Sequence, residues 1–291
     1  MQTASSLPMP VWFSTFAQAA RYNRTRIGIA ITLLVILLAV IGPFVAPYEP
    51  SAFVGKPFLK PSADFLLGTD FRGRDVLSRL LGGGIPVVWM SFASASVGMV
   101  LGVTVGLVAA YSRGWIDQVL MRIMDVFLSI PLIIFVLLFV SLIGTSEWLI
   151  VLLVGVAHMP QVARVTRGVA ADIVSREFVE FAEALSVPRW KILFGEILPN
   201  ITTPLLVEFG IRIVWSISGI AALSVMGYGI QPPNADWGLM INENRGRIAS
   251  RPLAVVSPAL CIALFAFGIN MIAEGIAGTM SGANRKSGGE Q

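Results

Sequence analysis

The chain of 291 residues is 55% hydrophobic and only 13% charged, with a net charge of +4. An ordinary soluble domain is about 25% charged, so a mean hydropathy of +0.78 excludes a soluble globular enzyme. Cys261 and His158 are each the sole residue of their kind, which excludes a disulfide framework and leaves no zinc spacing. A pI near 9.6 is accounted for by Lys and Arg flanking membrane spans rather than by nucleic-acid binding.

The composition implies an all-α, polytopic membrane protein. A hydrocarbon core of ~30 Å takes about 20 apolar residues per helix, and six stretches read as transmembrane helices: 27–46, 86–110, 119–143, 148–162, 201–226 and 253–276. Residues 1–16 precede them as a flexible segment without chemistry. Arg21, Arg24 and Arg26 before the first apolar run resemble a secretory signal, but 27–46 exceeds the 7–15-residue core of such signals, which favours an uncleaved anchor. The second span carries Ser94, Gly98, Gly102, Gly106 and Ala110 at fourfold spacing, a ladder of small residues that lets helix backbones approach. Its partner is either a helix of the same chain or a moving neighbour. In the third span, Arg122 and Asp125 are three apart near one end, as in an interfacial pair. The fourth is interrupted by His158 and Pro160 and followed by Arg164, and His158 reads as a packing residue rather than a proton relay. In the fifth, Glu208 and Arg212 stand at i and i+4. Intramembrane charges pair with one another or face a cavity, so a local ion pair and a hydrophilic path both fit. Glu274, near the end of the sixth span, can reach the headgroups, and the tail 281–291 reads as flexible.

Twelve Lys and Arg flank the spans on the N-terminal side of the membrane against eight on the other, so positive-inside asymmetry places both termini in the cytoplasm. Segments 47–85 and 227–252 are then outside and 164–200 inside. Within 164–200, residues 175–185 and 189–198 read as two short helices separated by Ser186-Val187-Pro188 and stopped by Pro199. Phe178, Phe181 and Leu185 form one apolar stripe on a charge-rich helix. Such a ridge docks a protein partner or lies in the lipid interface.

Glu180-Phe181-Ala182, then Ser186, then Ile197-Leu198-Pro199 resembles the EAA loop of binding-protein-dependent ABC import permeases. Phe181 stands where that motif has alanine, Ser186 where it has glycine, and Glu196 in an isoleucine position with Ile197 one place later. Leu67-Gly68-Thr69-Asp70 with Gly73-Arg74-Asp75-Val76-Leu77-Ser78-Arg79-Leu80 is similar to the pre-core segment of the second, C-type permease of dipeptide and oligopeptide systems. Asp117 to Pro131, with Met121-Arg122, Asp125 and Ser129, matches as well. So do Leu223-Ser224, Gly227, Gly229, Gln231-Pro232-Pro233 and Trp237-Gly238, although Met226-Gly227-Tyr228-Gly229 departs from Leu-Gly-Leu-Gly. The family often has a glutamate before Leu-Ser; here the residues are Gly219-Ile220-Ala221-Ala222.

The resemblance implies an ABC type I importer fold divided into three parts. Residues 1–84 carry the N-terminus, first helix and exterior segment, 85–278 the permease core, and 279–291 a cytoplasmic tail. It implies a coupling surface built from Phe178, Glu180, Phe181, Ala182, Ala184, Leu185, Ser186, Ile197, Leu198 and Pro199. It also implies a heterodimer with a second permease, two cytoplasmic ATPase subunits that bind ATP and Mg, and an extracytoplasmic solute-binding protein. No catalysis, cofactor or metal is expected in this chain, which independently lacks a Gly-x-x-x-x-Gly-Lys-[Ser/Thr] loop. The expected cargo is a di- or oligopeptide, with nickel complexes, glutathione or opine-like solutes as alternatives. An ion-coupled secondary transporter would need inverted repeats that the sequence does not display. A membrane enzyme would need a convergent set of acid, base or metal ligands.

Overall fold

The computed structural model describes residues 18–287, with side chains described as far as Thr279. Residues 1–16 and 288–291, expected to be flexible, lie outside the described residues. Among the described residues there is no strand, only an isolated bridge between Thr69 and Asp75. The long helices are α1 (Asn23–Val45), α3 (Gly84–Ser112), α6 (Glu147–Val174), α10 (Thr202–Val225) and α12 (Leu253–Ser287). Between them lie α2 (Val76–Gly82), α4 (Gly114–Leu128), α5 (Leu132–Ile143), α7 (Glu177–Ala184), α8 (Arg189–Lys191), α9 (Leu198–Asn200) and α11 (Trp237–Asn244). Among the described residues, five helices are long and apolar enough to cross a membrane, six if the bent pair α4–α5 counts as one span.

Two spans differ from their sequence-based outlines. The stretch 119–143, expected as one helix, breaks at Ser129-Ile130-Pro131 and bends by 78°. Proline cannot continue the ladder and pushes its predecessor out of the helical region. The stretch 148–162, expected to end near Pro160, instead continues through Pro160, Arg164 and Arg167 to Val174. The loop expected at 164–200 therefore begins at Ser175. Arg167 makes two contacts of 2.5 Å with the Asp117 carboxylate of α4, and Arg164 meets Asp125. These partners explain how the helix keeps its charges. The last helix runs on to Ser287, so 281–287 is helical backbone rather than loose tail.

The bundle is built on α3 and α6, joined along the small-residue ladder. A Cβ on Gly102 would lie 2.5 Å from Val162 Cβ and 2.7 Å from Met159 O, and one on Gly106 would lie 2.6 Å from Ala163 O. At Gly98 the obstacles are His158 Cβ at 2.9 Å and the Gly155 carbonyl at 3.0 Å. Ser94 and Ala110, at the ends of the ladder, are buried too. Backbone contact of this kind is how helices associate where lipid offers no hydrophobic contrast. The structure thus places the ladder against a helix of the same chain. α1 packs on α12, with Gly28 against Gly268 O, and α10 fills the space between α12 and α3.

Segments 46–83 and 226–252 meet at one end of the bundle, the cap end. The turns and short helices of 175–201 occupy the other, the loop end.

Candidate functional site at the loop end, and the charges of the cap

At the loop end, α7 is amphipathic with two distinct faces. Val179 and Ala182 turn inward and pack with Leu107, Ala170, Val174, Ile192 and Ile197. Phe178, Phe181 and Leu185 turn outward, Phe181 being 66% exposed. Glu180 and Ala184 are exposed as well. Ala182, expected on the docking surface, is only 9% exposed and belongs to the inner face. It lies one position from Phe181, about 100° around the helix, and this rotation carries it into the core.

α7 ends in a Schellman motif. Val187 N donates to Ala182 O at 3.1 Å and Ser186 N donates to Glu183 O at 2.9 Å, which satisfies carbonyls otherwise left open at a helix end. Ser186 is the residue at the left-handed position, with φ +56°, a conformation that costs a non-glycine residue about 1–2 kcal/mol. The glycine of the EAA pattern therefore has a local reason, and this chain carries serine against it.

From Pro188 the chain re-enters helix as α8, passes through a π-helical turn at Ile192–Ile197 and returns to α geometry in α9. Ile192 and Ile197 are buried, Leu198 is half-buried and Pro199 is exposed. Pro199 sits inside α9, and the break before α10 falls at Ile201. Two exposed aromatic residues, Trp190 and Phe194, add to the apolar surface of this end. They stand at i and i+4 in 189–198. The sequence reading missed them because it followed the apolar pattern only in the first of the two short helices.

In the bundle interior, Arg212 Nε lies 2.8 Å from Glu208 Oε1, with Glu208 buried and Arg212 nearly so. Their atoms lack hydrogen-bond alignment, so the pair is held by charge. One turn away on α10, Ser216 Oγ sits 3.1 Å from His158 Nε2, so the histidine has a polar partner across to α6. Glu208 and Arg212 are enclosed by this chain rather than lining an open cleft within it. Glu274, expected to reach the headgroups, pairs with Arg24 of α1 at 3.3 Å and accepts from Asn270.

The cap is organised by charge. Arg74 Nε donates to Asp70 Oδ2 at 2.7 Å and its terminal nitrogen to Glu243 Oε2 at 2.8 Å. Arg79 reaches the same two carboxylates and is itself fully buried. Asp70, Arg74 and Arg79 belong to the stretch that resembles the C-type permeases, Glu243 carried no signal, and no spacing rule joins Asp70 to Glu243 across 173 positions. Trp237 is also fully buried and donates from Nε1 to Leu80 O at 2.8 Å. Asp75 and Asp236 cap α2 and α11, accepting from Ser78 N and Leu239 N, each at 2.8 Å. Burial raises the Asp236 carboxyl to about 6 from 3.8, against the lowering effect of its hydrogen bonds and of Arg79. Among the described residues no cluster of His, Cys, Asp and Glu could hold a metal.

The fold is a helical bundle of five or six candidate spans with short helices at the loop end. The methionine ABC transporter MetNI, in an inward-facing conformation, has a chain of this fold. It aligns at a TM-score of 0.54 and 19% identity over 68% of this chain and 96% of its own. Residues 102–281 match the family described as binding-protein-dependent transport system inner membrane component, and the chain belongs to that family. It is 34% identical to the glutathione transport system permease protein GsiD of Pectobacterium atrosepticum, covering 88% of this chain and 87% of that one. Identity is 30% to the di/tripeptide transport system permease protein DppC of Pseudomonas aeruginosa, over 93% and 92%. The chain is therefore a permease subunit of an ABC importer and a multi-pass membrane protein.

Proposed function

We propose that this permease moves di- or oligopeptides into the cell as one half of a heterodimeric pore, with the loop end in the cytoplasm and the cap end outside. ATP and Mg are held by two ATPase subunits that dock on the loop end, and an extracytoplasmic binding protein delivers the solute to the cap. The observation that carries this reading is the outward apolar face of Phe178, Phe181 and Leu185 with Trp190 and Phe194. That face sits on helices whose other side is locked into the core by Val179, Ala182, Ile192 and Ile197. A ridge fixed in this way transmits force: pushing it moves the ends of α6 and α10, which the loop connects. The dipeptide and glutathione permeases among its relatives support a peptide-like cargo, and glutathione is itself a modified tripeptide. The excess of Lys and Arg on the loop side supports the orientation.

Reconstitution of both permeases and both ATPases in proteoliposomes tests the reading. With the cognate binding protein outside, ATP-dependent accumulation of a labelled dipeptide is expected. Uptake driven by an ion gradient without ATP would overturn it.

A further inference from the structure

The bent pair α4–α5 has no part in the coupling surface described above. At 15 and 12 residues, α4 and α5 are about 22 and 18 Å long, and the chain returns from the loop end to the cap end through α5 and the non-helical residues at its two ends. Their 78° bend means that if α5 stands along the bundle, α4 lies across its loop end. The two ion pairs to α6 agree. They join positions eight apart on α4, Asp117 and Asp125, to positions three apart on α6, Arg167 and Arg164. About 12 Å of one helix is thus matched to about 4.5 Å of the other, as in a steep crossing.

Around α4 the groups are sorted. Met124 is buried against the protein, on the side that carries Asp117 and Asp125. On the other side Trp115, Val119, Ile123 and Val126 form an exposed stripe, Trp115 being 72% exposed. Arg122 stands on the rim of that stripe and is 83% exposed, 3.9 Å from an Asp125 carboxylate that Arg164 already engages. Arg113, at the start of the helix, is exposed too. Since Arg167 and Arg164 offset Asp117 and Asp125, Arg113 and Arg122 leave this face with surplus positive charge. An amphipathic helix with tryptophan on its apolar face and arginines at its rim is built for the headgroup boundary of an anionic leaflet.

We propose that α4 is an interfacial helix that binds anionic phospholipid of the cytoplasmic leaflet. Arg113 and Arg122 take the headgroup phosphate, and Trp115, Val119, Ile123 and Val126 enter the acyl boundary. Through Asp117–Arg167 and Asp125–Arg164 the lipid is tied to α6, the helix that leads directly into the coupling loop. The inference rests on the orientation proposed above.

The assembled transporter is placed in nanodiscs of phosphatidylcholine with phosphatidylglycerol, either lipid carrying a photoactivatable headgroup. Cross-links to residues 113–126 are expected several-fold more often from phosphatidylglycerol. The double variant Arg113→Gln, Arg122→Gln is expected to bring the two lipids level. Equal labelling of the parent by both lipids overturns the proposal. So does Trp115→Cys forming cross-links to the second permease in place of lipid, which would make the stripe a protein interface. Gln118→Cys separates the orientation from the lipid: labelling by an impermeant thiol reagent in intact cells, with Cys261 replaced, overturns the orientation. Labelling only after lysis, together with equal lipid cross-linking, overturns the lipid site alone.

Discussion

At the cap end, Asp70, Arg74, Arg79 and Glu243 are turned inward onto one another. At the loop end, Phe178, Phe181, Leu185, Trp190 and Phe194 are turned outward into solvent. Each arrangement reverses the usual preference, charges inside at one end and aromatic side chains outside at the other. The cap joins two segments far apart in sequence and pairs its charges within the chain, although Arg79 Nε and Nη2 and Glu243 Oε1 are buried without a hydrogen-bond partner. The loop end anchors only half of each short helix, and its other half has apolar surface that gains free energy only when something covers it. The contrast separates a part whose charged groups face one another from a part whose apolar surface is left uncovered.

Removing one cap charge gives the largest expected effect. Arg79→Ala leaves Asp70 and Glu243 buried with Arg74 alone, and breaking a buried pair costs about 3–5 kcal/mol. The expected outcome is loss of most folded protein from the membrane, read by fluorescence-detected size exclusion. A variant as stable as the parent would mean that the cap is held by packing around Trp237 rather than by charge.

Next in size is a pH effect confined to the cap. The Asp236 carboxyl titrates near 6 in the folded chain against 3.8, so the folded state binds the proton more tightly. Stability from this group is full below the lower value and is lost as pH rises through 6, by up to about 3 kcal/mol. Asp236→Asn retains an oxygen to cap α11 and removes the charge. The difference in Tm between parent and variant is therefore expected to widen in favour of the variant from pH 4.5 to 7.5. A constant difference would contradict it.

The two faces of α7 provide a direct comparison. Ala182→Asp buries a carboxylate in the inner face at a cost of a few kcal/mol, and is expected to lower the Tm of the permease itself. Phe181→Asp and Leu185→Asp alter the outer face. They are expected to leave the stability of the permease within about 0.5 kcal/mol of the parent, as for ordinary surface changes, while weakening ATPase binding about tenfold or more, the loss of a binding hot spot. Equal effects of Ala182→Asp and Phe181→Asp on stability would erase the distinction between faces.

Ser186→Gly gives the smallest effect. Relieving the left-handed serine is expected to stabilise the loop by about 1 kcal/mol, seen as slower amide exchange in 175–190. Unchanged exchange would mean that the Schellman turn is set by packing of Val187.

Much of this was legible in the sequence where the signal was local. The helical class, the ladder at Gly98, Gly102 and Gly106, and the stripe of Phe178, Phe181 and Leu185 each follow from a spacing within one helix. The bend at Pro131 and the continuation through Pro160 were read the wrong way round, because a proline's effect depends on its neighbours. Pro160 lies inside α6, within a bundle where a mid-helix proline is tolerated, while Pro131 follows the helix end at Leu128. Ala182 was misplaced by one residue's rotation. The cap network was invisible, since Asp70 and Glu243 meet only after the chain has crossed and recrossed the bundle.

The central claim is that the outward ridge of α7 meets an ATPase. It is tested most directly by a cysteine at Phe181 in the assembled transporter, with Cys261 replaced by alanine and single cysteines placed around the groove of each ATPase. The account predicts a disulfide or short cross-link to one ATPase whose yield changes when ATP is added. Labelling of Phe181→Cys by a lipid-soluble reagent, with no cross-link to either ATPase in any nucleotide state, would contradict it.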